Sequence, residues 1–264
     1  YLLYPWFMLL LFVVAGISSR YALQTRSSRE FIRSRTRKLL VPSTIGLLVF
    51  QWMTGYFNML AAGALDSVPA AARYPAMVIS GIGPLWFVQD LWLFSLLLVL
   101  ICAIDRKGRL YDFFGTLCAG RAGLPITMLL FTAFWGLSQM FVDVSVHPLG
   151  GLFNLYRPHF YFFGFLTGYY LFSQEKMQEK LEKASAPLML VAAAGALAYT
   201  AVFFGQDYTA PRHLALPWTN AFAWAAVLAA LGFSRHRLDF RTPFTSYMSR
   251  SSYSIYIVHY LVLV

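Results

Sequence analysis

Arg33, Arg35, Arg37 and Lys38 fall within six residues of the tract FIRSRTRKLLVP, Phe31 to Pro42. Cations this dense suit phosphate or pyrophosphate, with arginine supplying a planar fork and lysine a point charge. Wound as a helix of about 100° per residue, Arg26, Arg29, Arg33 and Arg37 form one narrow stripe, suited to water and anionic headgroups. Arg35 and Lys38 are adjacent and turn towards the apolar face shared with Phe31, where a cation needs a reason to be. Two readings stand side by side. Either all these charges orient the chain in a membrane, or Arg35 and Lys38, with Arg33 adjoining, hold a phosphate group.

Three other stretches carry reactive side chains. In GIGPLWFVQDLW, Gly81, Gly83 and Pro84 break the chain before Trp86, Gln89 and Asp90. Asp90 is the one acid well inside an apolar run. It can meet an acceptor hydroxyl or a cation, but a hydrated interfacial acid would leave the same pattern. In SSYSIYIVHYLVLV, Ser252, Tyr256 and His259 share a helical face. His259 suits a general base, and equally a neutral imidazole bonded to a tyrosine in a packed bundle. In NLYRPHFYFFGFLTGYYLF, Arg157 and His159 stand at the mouth of a run where an anionic or sugar-like group can be met. Gly164 and Gly168 have the spacing of close helix packing, within one chain or between two.

The elements that must position these groups are set by composition. The 264 residues are 59% hydrophobic and only 12% charged, with mean hydropathy +0.59, which is the composition of a polytopic membrane protein. Apolar runs fall near 1–17, 39–64, 85–104, 124–142, 149–172, 188–205, 219–233 and 252–264. The expectation is therefore an all-α transmembrane bundle forming a single domain over residues 1–264, with about eight spans here and about ten in the full-length protein. If the spans alternate, one set of gaps holds 18 of the 21 Lys and Arg residues, so the positive-inside rule places those gaps in the cytoplasm. Both ends fall inside apolar runs, and the sequence reads as an internal piece of a longer chain.

The net charge of +10 sits in short gaps between apolar runs, not on a groove-sized patch, which argues against nucleic acid. Cys102 and Cys118 offer no disulfide framework, and no metal-ligand spacing is present. Outside catalysis, Asp90 and His259 in a bundle also suit a secondary transporter or flippase for a sugar or lipid-linked substrate, although no internal repeat is evident. A non-catalytic scaffold is a third reading. Association into homo-oligomers is left open.

The order of motifs goes further than any one of them. The run ending LLFVVAGISSRYAL, the basic FIRSRTRKLLVP, the opening GPLWFV, the span YFFGFLTGYYL and the closing SSYSIYIVHY follow one another as in the acyltransferase-3 family. The chain resembles that family over nearly its whole length, most closely the branch that modifies periplasmic glucans and other envelope carbohydrates. The resemblance implies an enzyme of the bacterial inner membrane that moves an acyl group from acyl-CoA, a co-substrate and not a bound cofactor, to a carbohydrate hydroxyl. It assigns the family's paired arginines to Arg35 and Lys38, where lysine weakens the bidentate fork but keeps the charge. Trp86, Gln89, Arg157 and His159 would then face the acceptor. The family's catalytic histidine belongs to a first span that this sequence lacks. His259, Tyr256 and Asp90 are the remaining candidates for catalysis, and no metal is expected.

Overall fold

The computed structural model describes residues 2–81, 83, 85–141, 147–149, 153–155, 158–207, 213, 216–238, 240, 242–248, 251–252 and 255–256. The chain divides into two compact units. One comprises Tyr1–Arg26, Leu98–Ser145 and Arg157–Phe240, and the other Ser27–Leu97, Val146–Tyr156 and Arg241–Val264. Almost all described residues are helical, as a chain that must satisfy its backbone inside lipid requires. The exception is a short antiparallel hairpin, His147–Leu149 with Phe153–Leu155.

The second unit is built on one long helix. The basic tract and the apolar run after it, expected as separate pieces, form a continuous 34-residue helix from Ser28 to Ala61. Its segments α2 (Ser28–Arg35), α3 (Val41–Gly46) and α4 (Trp52–Ala61) are joined by π-turns at Thr36–Leu40 and Leu47–Gln51. A capping box starts it. The Ser27 hydroxyl accepts from the Glu30 amide at 3.3 Å while the Glu30 carboxylate accepts from the Ser27 amide at 2.9 Å. Because π-turns rotate less per residue than α-turns, they shift which face each following side chain takes.

Beside this helix lie α5 (Ala70–Ser80) and α6 (Leu85–Ile104). The first of these forms although it contains Pro75. It crosses α4 with backbones touching. A Cβ on Gly55 would stand 1.6 Å from the Met77 carbonyl oxygen, and one on Gly81 would stand 2.0 Å from that of Gln51. Between α5 and α6, Gly83 takes φ 47°, a left-handed conformation that glycine adopts cheaply. Leu47, Val78 and Leu85 then pack together, with Trp52 and Trp86 against them. Trp92 Nε1 donates to Thr36 Oγ1 at 3.0 Å, tying α6 to the first π-turn.

The first unit contains α1 (Phe7–Thr25), α7 (Arg109–Ala119), α8 (Gly123–Phe141), α9 (Pro158–Thr167) and α10 (Glu175–Lys183), followed by α11 (Ser185–Phe203) and α12 (Pro217–Arg237). A third π-turn, Gly168–Phe172, follows α9. Gly164 and Gly168 are used within the chain, against α1. Helices α11 and α12 enclose Tyr199, Phe203 and Phe222. Cys118, expected in a loop, lies buried near the end of α7.

Helix α10 acts as a clasp. Glu175, Gln178 and Glu182 lie on one face, and all three accept from the single Arg235 guanidinium of α12. Arg235 holds the Glu175 carboxyl below the usual carboxylate range. The contribution is present at neutral pH and fades as acid protonates Glu175, and it is small because that side chain is largely exposed. From another face of α10, the Lys180 ammonium donates to the carbonyls of Cys118 and Gly120. These carbonyls lie at the end of α7, where the Gly120 carbonyl also accepts from the Gly123 amide at 3.0 Å. Here the chain bends by 119° into the following helix. Lys180→Met is expected to cost about 1–2 kcal/mol of stability, measured as a lower thermal midpoint in detergent. An unchanged midpoint would mean that water serves those carbonyls equally well.

By length and composition, four helices can cross a membrane: Phe7–Thr25, Ser28–Ala61, Leu85–Ile104 and Ser185–Phe203. Counting the bent pair Arg109–Ala119 and Gly123–Phe131 as one span makes five. The other expected runs fall on segments that do not meet those criteria or that extend outside the described residues.

Candidate active site

The second unit gathers most of the expected site residues. Asp90 lies in the second turn of α6 with 0% of its surface exposed, and neither carboxyl oxygen has a hydrogen-bond partner among the described residues. That enclosure is not what a hydrated interfacial acid leads one to expect. A carboxyl in such a place carries a desolvation cost until something bonds to it. Its neighbour Gln89 is also buried, with Oε1 unbonded. Three residues before Asp90, and hence adjacent on the helix surface, the Phe87 ring meets the Tyr256 ring edge to face at 5.9 Å. The Asp90 side of α6 is thereby linked to Tyr256, two candidates that sequence alone leaves 166 positions apart.

The basic tract separates its cations differently from the expected pattern. Arg29, Arg33 and Arg37 are exposed on the long helix, whereas Arg26, expected on the same stripe, is an extended residue ahead of the Ser27 cap and lies outside that helix. Arg35 is half-buried, and its guanidinium stands 5.1 Å over the ring of Phe31, one turn back. Stacking of this kind fixes the plane of the guanidinium. Lys38 does not share that face: it is exposed. The π-turn beginning at Thr36 carries it away from the direction that uniform α-geometry predicts. A phosphate held by both side chains would therefore rely on the reach of the lysine stem.

Of the acceptor-side candidates, Trp86 is half-buried beside the Leu47, Val78 and Leu85 cluster of the second unit, together with Gln89 on the same helix. His159 is half-buried in the first turn of α9, in the other unit. Arg157 and His259 lie outside the described residues.

Two further polar groups escaped the sequence reading. Gln51 and Thr54, in the middle of an apolar run, are each only 1% exposed, and Gln51 Oε1, Gln51 Nε2 and Thr54 Oγ1 have no hydrogen-bond partner among the described residues. In the first unit, the Arg20 guanidinium lies 3.6 Å above the Tyr111 ring and 5.7 Å from that of Tyr169, a cation the sequence assigned only to topology.

With this geometry in place, comparison with known proteins adds one match. A family described as an acyltransferase domain matches residues 1–264. No curated protein and no solved structure matches significantly.

Proposed function

Since the chain belongs to the acyltransferase-3 family across residues 1–264, we propose that it transfers an acyl group, acetyl, succinyl or similar, from acyl-CoA to a hydroxyl of an envelope carbohydrate. The full-length family match carries this reading. Membership makes the chain a membrane acyltransferase in general terms. The donor, the acceptor, about eight spans in the bacterial inner membrane and cytoplasmic basic loops are our proposals.

Arg35, with Lys38 reaching in beside it, would hold the phosphates of CoA. The acceptor oxygen attacks the thioester carbonyl, a carbon–oxygen bond forms, the carbon–sulfur bond breaks, and the leaving thiolate takes up the proton released by the hydroxyl. That proton needs a carrier at the reacting centre. Asp90 suits the task because its carboxyl is buried with both oxygens unbonded, and Tyr256 lies across Phe87 from it. His259 remains the candidate imidazole base. Trp86 and Gln89 would face the acceptor.

The transporter reading rests on the polytopic composition with Asp90 and His259. The family match favours acyl transfer. Asp90→Asn keeps shape and removes proton-accepting capacity. In the full-length protein it is expected to lower acyl transfer by about 100-fold, with membrane insertion and thermal midpoint unchanged. Unaltered transfer would return Asp90 to a structural role.

A further inference from the structure

We propose that Gln51 and Thr54 form a hydroxyl-binding subsite for a neutral polyol, the acceptor carbohydrate of the reaction proposed above, on which this inference rests. Three side-chain atoms carry it: Gln51 Nε2, Gln51 Oε1 and Thr54 Oγ1, all buried and without hydrogen-bond partners among the described residues. Three residues apart on a helix, the two side chains are surface neighbours. An unbonded polar group in an interior is costly, and native structures keep few of them. Here a donor, an acceptor and a hydroxyl that can act as either lie together, and none of them is charged. A sugar hydroxyl both donates and accepts, which is what such a set completes. A phosphate or an ammonium group would bring a charge that neither side chain neutralises.

The surroundings fit the same ligand. Gln51 closes the π-turn Leu47–Gln51, a distortion often found at functional sites. Its carbonyl faces Gly81, next to the break between α5 and α6 where Gly83 adopts its left-handed conformation. The polar pair is thus bordered by two irregular pieces of backbone. Trp52 follows Gln51 directly, and together with Trp86 it packs on the adjoining apolar cluster. An aromatic surface beside a few placed polar groups is the usual make-up of a small-molecule site.

The test uses the full-length protein in lipid nanodiscs, without glycosidic detergent. Binding of a radiolabelled neutral glucose oligosaccharide is measured by equilibrium dialysis in wild type, Gln51→Met and Thr54→Val, with acyl-CoA binding and thermal midpoint recorded in parallel. Both substitutions are close in volume and remove the unbonded polar atoms. Each variant is expected to weaken oligosaccharide binding about tenfold or more, to keep acyl-CoA binding, and to hold or raise the midpoint. Oligosaccharide binding that is unchanged in both variants overturns the subsite and leaves the acceptor reading intact. Wild type that binds acyl-CoA but no oligosaccharide overturns both. A midpoint that falls sharply in both variants identifies Gln51 and Thr54 as packing groups and also overturns the proposal.

Discussion

Gly168→Ala and Gly16→Ala are each expected to leave little folded protein, whereas Gly164→Ala, on the same helix crossing, is expected to be tolerated. At Gly16 an added Cβ would stand 2.0 Å from the Phe165 carbonyl oxygen, and at Gly168 it would stand 2.1 Å from that of Val13. Both obstacles are backbone atoms of a packed helix, so relief requires α1 to move away from α9 along its whole length. The cost is on the order of 3 kcal/mol or more, near the upper end for overpacking. At Gly164 the first obstacle is the Leu9 Cδ1 methyl at 2.6 Å. A rotamer change can clear it, and alanine returns about 0.5–1 kcal/mol of helix propensity. The two terms nearly cancel. Thermal midpoints and monodispersity in detergent would show this ranking, and equal tolerance at all three positions would mean that the crossing is looser than its backbone contacts indicate.

That small-residue spacing was legible in the sequence, because the i, i+4 relation survives wherever the segment is helical. So were the membrane class, the exposure of Arg29, Arg33 and Arg37, and the Trp86, Gln89 and Asp90 grouping after the glycine break. These rest on local periodicity and composition. The serine cap also carried its signal, the S-x-x-E of Ser27 to Glu30, but the surrounding charges drew the reading elsewhere. What was not legible depends on register or distance. A helical wheel assumes one rotation per residue, which the π-turn at Thr36–Leu40 alters for Lys38, while Gln51 is a lone uncharged amide in an apolar run and gives no local signal. The Arg235 clasp joins partners 53 to 60 residues apart, and Lys180 donates to carbonyls 60 and 62 positions before it in the sequence. Neither partner carries a local signal. The link from Asp90 to Tyr256 through Phe87 is of the same kind.

Arg35→Ala is expected to weaken acyl-CoA binding by about 10- to 100-fold, the range set by losing one or two charge-assisted hydrogen bonds to phosphate. Arg33→Ala, two residues away with the same charge, should change it by less than about threefold, because an exposed cation acts mainly through a screened field. The difference comes from Phe31, which is buried and holds the Arg35 guanidinium over its ring. A preoriented fork loses less freedom on binding than a free one. Two companion variants test the cause. Arg35→Lys keeps the charge and loses both the fork and the stack, so it should fall most of the way to the alanine variant. Lys38→Arg restores a second fork at an exposed position and should tighten binding modestly, by about two- to fivefold. Equilibrium binding of acyl-CoA to full-length protein, at two salt concentrations, separates field from contact: the Arg33 effect should vanish at high salt, while the Arg35 effect should persist. Equal, salt-sensitive losses at Arg33 and Arg35 would make the whole tract a topological signal and remove Arg35 from the site.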